Sequence, residues 1–387
     1  MSPRNSPERR RRRRLSSPTA TATTSMPAPA EIGPAVSLPD DIVFDIFSRL
    51  PVKSVCRFRC LSRAWHALIS DPAFIAAHRS HPAEPYFVVF ARICGGGYRL
   101  RLVDMDGTLV RVIRDVSCYG LRSTSTSDLI CVTREGYDFA QVIDPADGTV
   151  LLDWPKQHVG QYLGSEKYYH IFGFGRAVPS GSYKMVRLSS LPDCKVLTLG
   201  DSIRWRPAQL PPTQHYINRS TLVVVNGVLY MWVSRKECNG ELLCFDLETE
   251  QWKKIESPQE VVGPEVWGTA TKLVSITELN DTLCVVQSEM LKTNIWLLND
   301  SDKNIWTKTY TIPILCYTYP MPLKVTHDRE RLILCCLSHD EKSLVIQVYD
   351  PHNNARSELP RLGGADAMKI GLCSVRVPLH HFVSSKI

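Results

Sequence analysis

The sequence predicts a mainly β protein. A six-bladed β-propeller fills residues 85–387, behind a small three-helix module at 37–78 and a basic, proline-rich leader at 1–36. Three observations predict this. From residue 85 onward, short runs of Val, Ile, Leu, Tyr and Trp alternate with turn residues, and no long helical period appears. An aspartate-bearing turn unit recurs six times in that stretch, giving about 50 residues per unit, the scale of a propeller blade. Residues 38–78, by contrast, hold 23 apolar residues among 41 at helical spacing.

Composition narrows the function classes. Apolar residues make up 44% and charged residues 22% of the 387, enough to bury a core. No run approaches the roughly 18 apolar residues of a membrane span, and the N-terminus has no apolar segment of the kind a secretory signal needs. Thirteen cysteines without a C-x-x-C pair read as reduced thiols of a nuclear or cytoplasmic protein. No metal-ligand spacing appears, and His380-His381 has no partner cluster, so neither a metal nor a cofactor is expected.

The leader carries most of the net charge. Residues 1–36 hold seven arginines (Arg4 and Arg9 to Arg14) against Glu8 and Glu31, which is +5 of the total +7. The remainder is near neutral, so the total charge gives no basic face for nucleic acid. The Arg9–Arg14 run is a self-repelling block expected to stay disordered. It fits a nuclear-import signal, a weak nucleic-acid tail or an inert tail.

The helical module follows in order. Pro39 suits a first helical turn because its missing N–H would be unpaired there anyway. Asp40 and Asp41 sit where the helix dipole favours negative charge. Ile42, Val43, Ile46, Phe47 and Leu50 then form one stripe, which Pro51 ends. A second helix from Val52 turns Val55, Phe58 and Leu61 inward. A third holds Trp65, Leu68 and Ile69 and is stopped by Asp71-Pro72. A module of about 40 residues rarely stabilises itself alone. Its apolar excess is covered either by the following domain or by a partner.

These residues resemble the F-box, the helical motif that docks on the adaptor subunit of SCF ubiquitin ligases. The resemblance rests on Leu38-Pro39, the Ile42/Ile46/Leu50 stripe, Leu50-Pro51-Val52, Val55, Phe58, Cys60, Ser62, Trp65 and the closing Ile69 to Phe74. It implies an adaptor-binding set of Leu38, Pro39, Ile42, Ile46, Leu50, Pro51, Val55, Phe58 and Trp65, divided between adaptor contacts and the motif's own core. The implied partners are that adaptor and, through it, a cullin.

In the β region the turn aspartates are Asp104, Asp144, Asp201, Asp246, Asp300 and Asp350. Hairpins lie between them, with Asn226-Gly227 a strong two-residue turn signal. Trp205, Trp252 and Trp306 follow their turns closely and are expected to pack between blades. The phrases YYHIFGFG, YKMVRLS, VNGVLYMW, CFDLETEQWKKI and DPHNNA resemble the F-box-associated, kelch-like domain of many plant proteins. The doubled glycines of a true kelch blade are missing. In that family the domain is taken to hold a target protein, but no contact residue carries over.

Two other patterns matter. LVDMDGTLV matches the opening of haloacid-dehalogenase-type phosphatases, with Asp104 as nucleophile and Asp106 as acid/base. The chain shows strands without intervening helices, and PADGTVL repeats the Asp-Gly-Thr later, so a two-residue hairpin turn is the better reading. Cys335 and Cys336 are adjacent on a strand and face opposite ways.

The sequence therefore reads as a non-catalytic target receptor of an SCF-type ligase, working in the nucleus or cytoplasm. The alternatives are a non-degradative F-box scaffold and the Asp104/Asp106 phosphatase. Deleting residues 1–36 is expected to leave the thermal unfolding midpoint unchanged, because the leader adds no core. If Arg9–Arg14 direct import, the deletion shifts a fluorescently tagged chain towards the cytoplasm. An unchanged distribution returns the run to the inert reading.

Overall fold

A computed structural model describes residues 38–80, 84–93, 97–116, 121–125, 128–134, 138–154, 170–190, 193–200, 204–212, 221–233, 241–261, 272–289, 291–314, 320–326, 331–337, 344–359 and 367–375. The leader with Arg9–Arg14, Asp201 and His380-His381 lie outside them. By compactness the chain divides into two units, Met1–Ile46 and Phe47–Ile387.

Four helices come first: α1 (Asp40–Ser48), α2 (Val52–Arg59), α3 (Arg63–Ser70) and α4 (Pro72–Ser80). Each start has a local cause. The Pro39 carbonyl accepts from the Ile42 and Val43 amides, and the Pro51 carbonyl accepts from Ser54 and Val55. Ser62 Oγ accepts from the Trp65 amide at 3.1 Å, capping α3. The expected three helices are thus four. Asp71 does end α3, but its side chain accepts from the Ala73 amide at 2.7 Å. Pro72 then opens α4, at the one helical position where a proline loses no hydrogen bond.

The remaining strands form six four-stranded antiparallel sheets. In chain order the first three are β1 (Glu84–Arg92), β2 (Tyr98–Val103) and β3 (Leu109–Val116). Blade 2 is β4 (Leu121–Ser125), β5 (Ile130–Arg134), β6 (Ala140–Ile143) and β7 (Val150–Trp154). Blade 3 is β8 (His170–Arg176), β9 (Tyr183–Ser189), β10 (Asp193–Thr198) and β11 (Arg206–Pro207). Blade 4 is β12 (Thr221–Val225), β13 (Val228–Val233), β14 (Glu241–Asp246) and β15 (Trp252–Ile255). Blade 5 is β16 (Lys272–Leu279), β17 (Thr282–Glu289), β18 (Lys292–Asp300) and β19 (Ile305–Pro313). Blade 6 is β20 (Met321–Val325), β21 (Leu332–Leu337), β22 (Leu344–Tyr349) and β23 (Arg356–Glu358). The last strand, β24 (Ala367–Val375), pairs with β1 and completes blade 1 in the order β24-β1-β2-β3. The predicted six-bladed propeller is what the chain forms.

The core lies between blades. Strand side chains alternate, so each inner strand feeds two layers. In β1, Tyr86, Val88 and Phe90 pack with Ile130, Val132 and Ile143 of blade 2. Phe87 and Val89 face the other way, onto Ile333 and Ile346 of blade 6. Burial on both faces explains why β1 reads as an unbroken apolar run. Four more such layers join the other blades. Cys336 and Cys335 fall in different layers, as their adjacency requires.

Five of the six turn aspartates are among the described residues, and each lies at the turn between the third and fourth strands of its blade. Asp104, Asp144, Asp246, Asp300 and Asp350 each accept from a backbone N–H two residues on. These are side-chain-closed turns. The two-residue hairpin expected at Asp106-Gly107 is a correction: Val103 pairs with Leu109, leaving five residues in the loop, with Gly107 at positive φ (83°). The Asp104 side chain stabilises a longer loop and removes the need for two positive φ angles. Asn226-Gly227 is the true two-residue turn, with φ of 47° and 80° between paired Val225 and Val228.

The tryptophans do pack between blades. Trp252 of blade 4 donates its indole N–H to the Gln209 carbonyl of blade 3 at 2.8 Å. Trp306 of blade 5 donates to the Glu256 carbonyl after β15 at 2.8 Å. Trp205 of blade 3 lies 5.7 Å, edge-on, from Trp154 of blade 2.

Charged side chains lock blade borders. Arg187 of β9 pairs with Asp138 at 2.9 Å and Asp193 at 3.1 Å and lies over the Trp205 ring. Lys184 Nζ donates to Glu250 at 2.8 Å and to the Leu247 carbonyl at 2.5 Å, while Arg206 grips the same carboxylate. Burial works against ionisation of Glu250, but Arg206 and Lys184 outweigh it and hold its carboxyl below the usual range. A lowered folded-state pKa gives stability that is present above the unfolded carboxylate pKa and lost as pH falls through the folded one. Glu250→Gln is therefore expected to lower the urea midpoint at neutral pH. The gap to the unsubstituted chain should shrink as the pH falls below the ordinary carboxylate range. A gap constant with pH would contradict this account of the ion cluster.

Candidate functional site

The helical segment is built around three rings. Phe47 and Phe58 stack at 4.9 Å, and Trp65 meets Phe47 edge-on at 5.0 Å and Phe58 edge-on at 5.7 Å. Such pairs add about 0.5–1.5 kcal/mol beyond the area they bury. Val55, Ile69 and Phe74 are fully buried beside them in the sequence of helices. His78 Nε2 lies 2.9 Å from the Leu50 carbonyl oxygen, which only accepts, so this nitrogen carries the proton. That bond ties α4 to the turn between α1 and α2.

The expected docking residues separate by exposure. In the first unit, Leu38 is 54% exposed and Ile42 and Ile46 are each 43% exposed. Four-residue spacing puts Ile42 and Ile46 on one side of α1, and Leu38 lies two residues before the helix starts. Pro39 and Pro51 are exposed, and Leu50 is half-buried. Val55 is buried, and Phe58 and Trp65 are half-buried within the ring cluster. The set thus contains a solvent-facing apolar group and a packed group, each argued from its own neighbours.

Two residues stand differently from the sequence reading. Leu61 was expected inward but is 67% exposed. It follows the end of α2 at Arg59, so the helical period does not reach it. Phe47 is 6% exposed and sits in the ring cluster, although it was not among the expected docking residues. Its place in the α1 stripe was the available signal.

The phosphatase alternative loses its fold. Asp104 and Asp106 lie in a turn between antiparallel strands, without the parallel α/β sheet that chemistry needs. Both Asp104 oxygens are engaged. Oδ1 accepts from the Asp106 amide at 3.1 Å and the Thr108 amide at 2.7 Å, and Oδ2 accepts from Lys53 Nζ at 2.6 Å. Lys53 had no signal in the sequence, being 51 residues away.

Comparison with known proteins agrees with this architecture. Residues 36–76 match the F-box domain, and residues 110–371 match the F-box associated beta propeller domain. The chain is 25% identical over 378 residues to F-box protein At3g07870 of Arabidopsis thaliana, covering 81% of this chain and 85% of that one. It is also 25% identical over 363 residues to F-box protein At5g18160 of the same plant, covering 90% and 88%. F-box protein CPR1 of Arabidopsis thaliana is 25% identical over 338 residues, covering 77% and 79%. With a helical F-box in front of six F-box-associated blades, the chain belongs to the plant-type F-box proteins with an F-box-associated β-propeller domain.

Proposed function

We propose that this protein is the target-recognition subunit of an SCF-type ubiquitin ligase. The observation that carries this is the exposure of Leu38, just before α1, and of Ile42 and Ile46 on one side of it, at positions where the F-box resemblance puts adaptor contacts. A partner that covers these three large apolar side chains removes the cost of their exposure to water. Residues 37–78 dock on the adaptor, and through it on a cullin, using Leu38, Pro39, Ile42, Ile46, Leu50 and Pro51. Val55, Phe58 and Trp65 belong to the motif's own core. Residues 85–387 hold the target protein.

The subunit performs no bond chemistry in this account. Its contribution is proximity: a target lysine held near the charged ubiquitin carrier experiences a raised effective concentration. The account places the work in the nucleus or cytoplasm. Among the described residues no helix is long and apolar enough to cross a membrane.

A central apolar anchor in a desolvated interface costs about 2–4 kcal/mol when cut to Ala, which is roughly 30- to 1,000-fold in affinity. Replacing Leu38 and Pro39 together with Ala is expected to weaken adaptor co-purification by that order while leaving the β-sheet circular dichroism unchanged. A chain trimmed to residues 85–387 is expected to lose the adaptor and keep its fold. Full-strength adaptor binding by the double variant, or by the trimmed chain, would overturn the docking assignment.

A further inference from the structure

The blade 1 turn makes more contacts than a hairpin needs. Asp104 Oδ1 closes the turn itself by accepting the Asp106 and Thr108 amides. Its Oδ2 meets Lys53 Nζ of α2 at 2.6 Å. Thr108 Oγ1 lies 3.3 Å from the same nitrogen, and the Asp106 carboxylate lies 3.7 Å away. An ammonium has three N–H donors, and here it faces three oxygens of one turn. The Asp104 side chain is only 14% exposed and that of Lys53 31%, so water is partly excluded from the contact. The turn aspartates of blades 5 and 6 instead pair within their own loops, Asp300 with Lys303 and Asp350 with His352.

The contact joins residues 51 apart in sequence, one on a helix and one in a turn of blade 1, and so holds α2 against that turn. We propose that Lys53 and the Asp104–Thr108 turn form an electrostatic catch that sets the orientation of α2, and of the α3 packed against it, on blade 1. Lys53 is then a positioning residue, and the Asp-x-Asp-Gly-Thr loop of blade 1 is its receptor. The use of the catch rests on the receptor reading above: it holds α2 and α3 of the docking motif in one orientation on blade 1.

The full-length chain tests this without adaptor or target. A carbodiimide activates a carboxylate, a touching amine displaces the urea, and an amide bond remains. Mass spectrometry should find Lys53 joined to Asp104 or Asp106 at low salt. The 2.6 Å pair is closer than the roughly 3 Å screening length at 1 M salt, so the cross-link should persist there. Hydrogen exchange gives the second reading. In Lys53→Gln the amides of Asp106 and Thr108 should exchange about two- to fivefold faster, the range of an exposed ion pair. Lys53→Arg should restore protection, and the amides of β13 should not change. Absence of the Lys53 cross-link at low salt, or unchanged turn exchange in Lys53→Gln, would overturn the catch. A rise spread equally over β13 would mean unfolding and would count against it too. A chain that shows the catch yet binds no adaptor would overturn the receptor reading and leave the catch standing.

Discussion

The pairing of β24 with β1 is the constraint on which the rest of the structure depends. Glu84 pairs with Val375 and Val89 with Ile370, so the end of the chain must return to the first strand after the helices. β1 is flanked on both sides, by β24 and by β2. Without β24, blade 1 would keep three strands, and the layer shared by Phe87, Val89, Ile333, Ile346 and Ile370 would lose a wall. Contacts this distant in sequence carry a loop-closure cost, which the buried layer they complete must offset.

The other blade borders repeat a common plan with local variations. An apolar layer supplies most of the stabilisation, at about 25 cal/mol per Å² of buried apolar surface. Directional groups then set the spacing: Trp252 and Trp306 reach back to carbonyls of the preceding blade, and Arg187 or Glu250 ties neighbouring strands by charge. Glycines permit the closest approach. A Cβ on Gly175 of β8 would lie 2.4 Å from Val224 of β12, so only glycine allows those inner strands to meet. The result is a ring whose strands are fixed by packing between blades.

Much of this was legible in the sequence because it depends on periodicity. Alternating apolar runs, the five described turn aspartates and the Asn226-Gly227 turn report local rules that the fold obeys. Features that depend on side-chain geometry were less so. Asp104 sits next to Asp-Gly in a manner that suggests a two-residue turn, yet its carboxylate closes a five-residue loop. Pro72 reads as a helix stop and is one, but it also starts the next helix because Asp71 caps it. Within the candidate docking region, the exposed side of α1 follows from the helical period. The inward placement of Phe47 and outward placement of Leu61 follow from where α1 and α2 end. Lys53 was invisible, since nothing local announces a partner 51 residues away.

The account joins two parts with different physics: a helical segment with uncovered apolar side chains, and a ring with a closed core. Its central claim is that the first recruits a ligase while the second holds what is modified. The most direct test is ubiquitin transfer in a reconstituted SCF reaction, using proteins captured by the full chain as acceptors. The account predicts transfer to a captured protein when the full chain is present. It predicts none when the chain is trimmed to residues 85–387, although the protein remains captured. Equal transfer with both chains, or no transfer to any protein the full chain captures, would contradict it.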